Sequence, residues 1–134
     1  MTTLDREVFE VRDEAGIVAS RQRARTHAAT VGLSLVSQTK LVTAVSELAR
    51  NMVEYGGGGV VVIEELDNHG RRGVRVSFED KGPGIADLEL AMRDGYSSGK
   101  GLGQGLPGSK RIVNEFEIAS REGEGTRVVI VQWK

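Results

Sequence analysis

Two polar residues, Glu47 and Asn51, are four positions apart in a segment with helical periodicity. That spacing places them on the same face of a helix. The carboxylate could orient a water or a hydroxyl, and the amide oxygen could be offered to Mg²⁺, which prefers hard oxygen ligands. The simpler interpretation of this pair alone is an exposed helix surface near a helix end. Glu47 and Asn51 indicate a functional site only when they are considered together with other motifs.

A second motif, residues 80–85 (DKGPGI), directly follows a predicted strand. An aspartate with two glycines most often makes a turn. The alternative is a binding function, in which the carboxylate of Asp80 accepts a hydrogen bond from an adenine amino group. The glycines would then let the backbone approach the ring closely. Both interpretations remain open for this motif by itself.

A third segment, residues 94–105 (DGYSSGKGLGQG), is rich in glycine and continues into Gly108. Gly103, Gly105 and Gly108 formally satisfy the G-x-G-x-x-G pattern, but no strand precedes them, which argues against a dinucleotide-binding fold. No P-loop motif is present either. The segment predicts a loop that leads into a helix N-terminus, where N–H groups and the helix dipole favour anions. Glycine content alone would favour a surface loop without that function.

Periodicity and capping signals predict the elements that would position these motifs. Asp13 and Ser34 are predicted N-caps of two helices, and Gly32 is predicted to end the first. The predicted strands are residues 4–12, 60–66, 73–79, 116–120 and 126–133, and the predicted helices are residues 14–30, 35–55, 87–93 and 106–115. This order predicts an α+β fold, a two-layer sandwich with a mixed, mostly antiparallel sheet and helices on one face.

Composition narrows the functional classes. The chain has 134 residues, 39% of them hydrophobic, and a net charge of -1. One domain over residues 1–134 is expected, and the lack of basic excess argues against a nucleic-acid partner. The longest aliphatic runs, such as Val60 to Ile63, have only four residues and no signal peptide is evident, so we expect no membrane partner and a cytoplasmic location. The absence of cysteine excludes disulfides and thiolate zinc sites.

Taken together, four segments resemble, in order and spacing, the four conserved boxes of the GHKL ATPases. They are residues 47–51 (ELARN), residues 80–85, the glycine-rich segment and residues 123–126 (GEGT). This Bergerat-fold family includes gyrase B, Hsp90, histidine kinases and bacterial anti-sigma factor kinases. The stretch GLGQGLPGSKR, preceded by GYSSGKG, is similar to the RsbT-type switch kinases of the stressosome. The resemblance implies the Bergerat ATP-binding fold.

The resemblance also implies a role for each matching residue. Asn51 would coordinate Mg²⁺, Glu47 would activate the substrate serine hydroxyl, and Asp80 would bind the adenine amino group of ATP. The other implied nucleotide-binding residues are Gly82 and Gly84 beside the adenine, Gly101, Gly103, Gly105 and Gly108 over the triphosphate, Lys100 near the γ-phosphate, and Thr126 at the adenine end. Lys100 is equally well explained as a loop lysine. Gln104 departs from the aliphatic residue that is common in relatives.

The function implied is an ATP- and Mg²⁺-dependent protein serine/threonine kinase. It would phosphorylate STAS-domain proteins that sequester it and, once released, activate a PP2C-type phosphatase. Two alternatives share the motifs: an anti-sigma factor kinase that binds a sigma factor, and a nucleotide-dependent interaction module with little kinase activity. The two histidines, His27 and His69, are predicted to be solvated, so phosphoryl transfer to histidine is not expected.

Overall fold

The computed structural model describes residues 1–93 and 105–134 of the chain. Within those ranges, five strands and four helices follow one another in the predicted order. They are β1 (Thr2–Val11), α1 (Glu14–Val31), α2 (Leu35–Gly56), β2 (Gly59–Asn68), β3 (Arg71–Asp80), α3 (Leu88–Ala91), α4 (Gly105–Ile112), β4 (Glu115–Arg121) and β5 (Gly125–Trp133). The largest difference from prediction is α4, which ends three residues earlier because β4 begins at Glu115.

The two long helices begin and end where local capping chemistry predicts. The Asp13 carboxylate accepts a hydrogen bond from the backbone N–H of Gly16 at 3.0 Å, and the Ser34 hydroxyl accepts one from Ser37 at 3.1 Å. Each bond satisfies a donor that the first helical turn leaves unpaired. Gly32 ends α1 in the left-handed conformation, with φ at 89°. These cap predictions are confirmed.

The sheet has the strand order β1-β2-β3-β5-β4. Every pairing between the described strands is antiparallel. The α+β class and the two-layer arrangement are therefore confirmed, but the expectation of a mixed sheet is corrected. Hairpins join β2 to β3 and β4 to β5, and these hairpins are antiparallel by construction. The long connection from β3 to β5 carries α3, α4 and β4, and β5 also pairs with β3 in the antiparallel sense.

The core lies between α1 and α2 and one face of the sheet. Leu41, Val45 and Leu48 of α2 are at most 2% exposed, as their helical spacing predicts. Alternating residues of the strands meet them from the sheet side, because successive side chains of a strand point to opposite faces. The buried sheet residues of this core include Val61, Ile63, Val74, Val76, Phe78, Val128 and Ile130. Among the described helices, none is long and apolar enough to cross a membrane.

The prediction that His27 is solvated is wrong. The side chain of His27 lies in the helix–sheet interface, with its residue only 8% exposed. Its Nδ1 lies 2.5 Å from a carboxylate oxygen of Glu65, and its Nε2 lies 2.9 Å from one of Glu7. Glu65 and Glu7 come from β2 and β1, so only tertiary pairing brings them to α1. His69, by contrast, is exposed in the β2–β3 turn as predicted, with φ at 55°.

Candidate functional site

A cavity of about 420 Å³ opens beside the C-terminal half of α2, within the size range of small-molecule sites. Four residues singled out from the sequence line it: Asn51, Asp80, Gly84 and Thr126. The other lining residues are Leu48, Met52, Glu54, Tyr55, Gly56, Phe78, Pro83, Ile85, Leu106 and Val128. The fold thus brings three motifs that are distant in sequence to one predominantly apolar cavity.

Asp80 ends β3 and presents its carboxylate to this cavity. One oxygen, Oδ1, accepts a hydrogen bond from the backbone N–H of Gly82 at 2.9 Å. Burial raises the pKa of Asp80 above its ordinary value, although backbone hydrogen bonds from Gly82 and Thr126 lower it in part. A carboxylate with spare lone pairs among apolar walls is a strong acceptor for an N–H group of a ligand.

Two glycines allow the end of α2 to pack directly against the Asp80 loop. A Cβ atom on Gly82 would lie 2.6 Å from the Cα of Gly56, which no real contact allows. A Cβ on Gly56 would overlap the carboxyl group of Asp80. Gly82 does not itself line the cavity in the described residues. It acts by close packing, so that Asp80 is held against the backbone of α2.

Gly84 supports the opposite side of the cavity. Its φ is +72°, and a Cβ there would overlap the backbone carbonyl of Arg121. Nearby, the Ser120 hydroxyl accepts a hydrogen bond from the Ile85 backbone N–H at 2.8 Å and contacts the Thr126 hydroxyl at 2.7 Å. Sequence analysis missed Ser120, which links the 80–85 loop to Thr126. The one indication in the sequence was that Ser120 is a hydroxyl residue at the end of the predicted strand 116–120.

Replacing Gly84 with alanine is expected to lower the free energy of unfolding by at least about 2 kcal/mol, since left-handed backbone costs about 1–2 kcal/mol and overpacking adds to it. Urea denaturation measures this change. Gly108→Ala is the matched control, because the atom nearest to its added Cβ is 3.9 Å away and alanine is favoured within a helix. Equal losses of stability in the two variants would contradict this explanation of Gly84.

Asn51 contributes an unsatisfied polar group to the cavity wall. Within the described residues, its Nδ2 is buried and has no hydrogen-bond partner. Leaving such a donor unpaired costs about 1–3 kcal/mol, so buried donors are normally paired by protein or ligand. A phosphate oxygen is a suitable acceptor for the amide nitrogen, and the amide oxygen is a hard ligand suited to Mg²⁺. The donor set therefore fits a nucleotide with Mg²⁺.

Glu47 lies one helical turn before Asn51 and is exposed. It is not among the described residues that line the cavity, so the structure places it beside the site rather than within it. Its neighbour Arg50 forms a two-pronged ion pair with Glu14, with nitrogen–oxygen distances of 3.1 and 3.2 Å. Arg50 also lies 3.7 Å from Glu54. These contacts tie α2 to the start of α1 next to the site.

Only part of the glycine-rich segment lies within the described residues. Lys100, Gly101 and Gly103 lie outside the described residues, as does Gln104. Gly105 begins α4, and the next residue, Leu106, lines the cavity. Gly108 lies within the same helix and is not among the residues that line the cavity.

The apolar walls were missed as site residues, although the sequence held a signal for some of them. Leu48 and Tyr55 are separated from Asn51 by three and four residues, which places all three on one face of α2. Both had a simpler interpretation as core residues. Phe78 and Val128 reach the cavity from β3 and β5, where they lie directly opposite each other in register. That pairing is not visible in the sequence.

Comparisons with known proteins agree with this geometry. A family model described as histidine kinase-, DNA gyrase B- and HSP90-like ATPase matches residues 36–134. Among curated relatives, the serine/threonine-protein kinase RsbT of Bacillus subtilis (strain 168) is 43% identical over 129 residues, which cover 96% of this chain and 97% of that protein. The anti-sigma F factor of Clostridium beijerinckii is 36% identical over 95 residues, or 66% of this chain and 65% of that protein.

A solved structure agrees at the level of the fold. The mycobacterial sensor histidine kinase MprB superposes with a TM-score of 0.56 and 19% sequence identity, over 96% of this chain and 97% of that one. The family predicted from the four motifs is confirmed by the matched family model and by the curated relatives. This chain belongs to the GHKL family of histidine kinase-, DNA gyrase B- and HSP90-like ATPases.

Proposed function

We propose that this chain is an ATP-dependent protein serine/threonine kinase of a partner-switching system. The observation that carries the proposal is the shared cavity, whose wall contains both the half-buried Asp80 and Asn51, whose buried amide nitrogen has no hydrogen-bond partner among the described residues. The similarity to a serine/threonine-protein kinase over 96% of the chain supports the choice of reaction. Similarity to the anti-sigma F factors is shorter and weaker, which ranks that function second.

In this proposal each part of the cavity has a separate task. Asp80 accepts a hydrogen bond from the adenine amino group, with Gly82 and Gly84 shaping the loop and Thr126 beside it. Asn51 would hold Mg²⁺, and the ion would supply neutralisation of phosphate charge. The phosphate-binding residues are Lys100, Gly101, Gly103, Gly105 and Gly108, which would cover the triphosphate and exclude water.

Glu47 is the proposed general base. Phosphoryl transfer depends mainly on positioning and charge neutralisation, so a protein need only orient the attacking hydroxyl and take up its proton. An exposed carboxylate one helical turn from the cavity-lining Asn51 is accessible to a serine or threonine of another protein, which a group deep in the cavity would not be. The position of Glu47 beside the site is therefore consistent with a protein substrate.

The proposal also specifies which proteins the kinase phosphorylates and binds. We infer that the substrate is a STAS-domain protein that also sequesters the kinase, and that the released kinase activates a PP2C-type phosphatase. Such exchange would take place in the cytoplasm, where ATP is available. The alternative partner is a sigma factor, as the name of the Clostridium beijerinckii relative suggests. Co-precipitation with a purified STAS-domain protein and with a purified sigma factor separates the two.

Radiolabel transfer tests the kinase reaction directly. With ATP labelled at the γ-phosphate, Mg²⁺ and a purified STAS-domain protein, we expect label on a serine or threonine of that protein. This phosphoester is stable in acid, unlike phosphohistidine, so the linkage identifies the acceptor. Asn51→Ala is expected to abolish transfer. ATP binding without transfer to the protein would contradict the kinase and favour a nucleotide-dependent interaction module.

A further inference from the structure

Three carboxylates surround His27 at the edge of the sheet, away from the nucleotide cavity. Nδ1 of His27 lies 2.5 Å from Oε2 of Glu65 and 3.9 Å from Oδ2 of Asp5. Its Nε2 lies 2.9 Å from Oε1 of Glu7. The side chains of His27 and Glu65 are 10% and 9% exposed, whereas that of Asp5 is 58% exposed. The group is thus buried on one side and open to solvent on the other.

The sheet register places two of these carboxylates opposite each other. Asp5 of β1 lies directly opposite Glu65 of β2, at a register shift that leaves Leu4 unpaired. Like charges placed directly opposite on neighbouring strands destabilise a sheet. Arg23 pairs with Glu7, with its Nη1 2.7 Å from that carboxylate. Among the described residues, the ion-pair partner of both Asp5 and Glu65 is His27.

The two ring nitrogens of His27 are placed as in many metal sites, where one nitrogen binds the ion and the other donates a hydrogen bond to a carboxylate that does not bind it. With a metal bound, Glu7 would accept a hydrogen bond from Nε2–H, and Nδ1, which now shares a proton with Glu65 at 2.5 Å, would direct its lone pair at the ion. The carboxylates of Asp5, Glu7 and Glu65 around one imidazole create a negative potential that favours a bound metal cation.

We propose that Asp5, His27 and Glu65 form a binding site for a divalent transition metal, with Zn²⁺ as the best-suited ion. The three ligand atoms all lie within 4.8 Å of one another. Bonds of about 2.1 Å at tetrahedral angles place ligand atoms about 3.4 Å apart, so the exposed Asp5 side chain must approach, and Nδ1 of His27 and Oε2 of Glu65, now 2.5 Å apart, must separate by about 1 Å to admit the ion. Imidazole nitrogen with carboxylate oxygen suits Zn²⁺ better than Mg²⁺ or Ca²⁺.

The role of this site is structural. Its ligands come from three elements: β1 at the edge of the sheet, β2 beside it, and α1 above them. A bound ion would join the N-terminal strand to α1 and β2 and would neutralise the opposed carboxylates. This inference is independent of the proposed kinase function, because its ligands share no residue with the nucleotide cavity.

Calorimetric titration of chelator-treated protein with Zn²⁺, without nucleotide and with excess Mg²⁺, tests the proposal. The intact chain is expected to bind one Zn²⁺ and to show a higher melting temperature with the ion than without it. His27→Gln is expected to lose both effects. His69→Gln is the matched control, since it removes the other histidine, which is exposed in a turn, and should bind as the intact chain does.

Asp5→Asn provides a second variant in case His27→Gln does not fold, because Asp5 is exposed and its loss leaves no buried charge. Affinity for Zn²⁺ should fall at least about tenfold, and Glu7→Gln should weaken it about 10–100-fold through the outer contact. Imidazole ¹⁵N NMR should show Zn²⁺ shifting Nδ1 of His27 and leaving His69 unchanged. No Zn²⁺ uptake by the intact chain, or equal uptake by His27→Gln, overturns the proposal. The group would then be a protonated histidine held between carboxylates.

Discussion

Glu47→Gln is expected to reduce phosphoryl transfer to the protein substrate by about 10²–10⁴-fold, the usual contribution of a general base. Glutamine keeps the size of the side chain and removes its ability to take up a proton. Because Glu47 is exposed and does not line the cavity in the described residues, the free energy of unfolding and ATP affinity should stay nearly unchanged. Single-turnover transfer from labelled ATP, beside equilibrium nucleotide binding, measures both quantities.

Glu117→Gln is the control for loss of a carboxylate. Glu117 is exposed on β4 and does not line the nucleotide cavity, so transfer should be unaffected. Transfer by Glu47→Gln within about tenfold of the unchanged chain would contradict the general-base assignment. Loss of ATP binding in the same variant would instead place Glu47 in nucleotide recognition. If docking to the partner persists while transfer stops, the kinase interpretation is strengthened over the binding module.

Asp80→Asn is expected to weaken ATP binding by about 10–150-fold. The variant loses one charge-assisted hydrogen bond, which is worth about 1.5–3 kcal/mol. The asparagine side chain can still accept from the Gly82 backbone N–H, so the loop should keep its conformation. A fluorescent ATP analogue or calorimetry gives the affinity. Unchanged ATP affinity would remove Asp80 from adenine recognition.

Glu79→Gln is the matched control for this measurement. Glu79 precedes Asp80 on β3, is exposed, and points to the opposite face of the sheet. It should bind ATP as the unchanged chain does. A similar loss of affinity in both variants would indicate a general effect of charge instead of a specific contact at Asp80.

Asp80→Asn is also expected to leave the ligand-free protein as stable as before, or to make it more stable. Burial raises the pKa of Asp80 in the folded chain, so the unfolded chain releases the proton more readily. The unfolded state therefore gains from ionisation at neutral pH, and the contribution of Asp80 to stability falls as pH rises through the window between the two pKa values. Urea denaturation at acidic and neutral pH, compared with Asp80→Asn, measures this dependence.

A loss of stability in Asp80→Asn at neutral pH would contradict that sign. The expected result would bear on function. The half-buried carboxylate of Asp80 lowers the stability of the ligand-free protein, and a hydrogen bond from the bound nucleotide would offset that loss. Removing the carboxylate should separate the two properties, with lower affinity for ATP and undiminished stability. Strained or poorly solvated groups are often kept at binding sites for this reason.

Local chemistry made much of the fold predictable. Asp13, Ser34 and Gly32 cap helices through bonds within four residues of themselves, so the sequence nearby contains all the information needed. The order and spacing of the motifs predicted the family. Asp80, Gly84, Thr126 and Asn51 were predicted as site residues and all line one cavity. Their individual roles stay predictions.

Long-range contacts decided the rest. The placement of β5 between β3 and β4 makes the sheet antiparallel throughout its described pairings, and no local pattern indicates that order. Ser120 became part of the site only because β4 and β5 pair beside the 80–85 loop. His27 was expected in solvent, since a lone histidine on a helix gives no sign of which strands will cover it.

The sequence by itself determined, to within two residues, where the helices and strands begin. It also determined which residues match the family's motifs, and that a nucleotide is the expected ligand. Those properties depend on side chains and backbone groups within a few residues of one another. Only the tertiary structure decided that, among the described residues, Glu47 does not line the cavity and the buried amide nitrogen of Asn51 has no partner, and that three carboxylates meet at His27. Burial and pairing arise between segments far apart in the chain, where spacing along the sequence carries no information about distance.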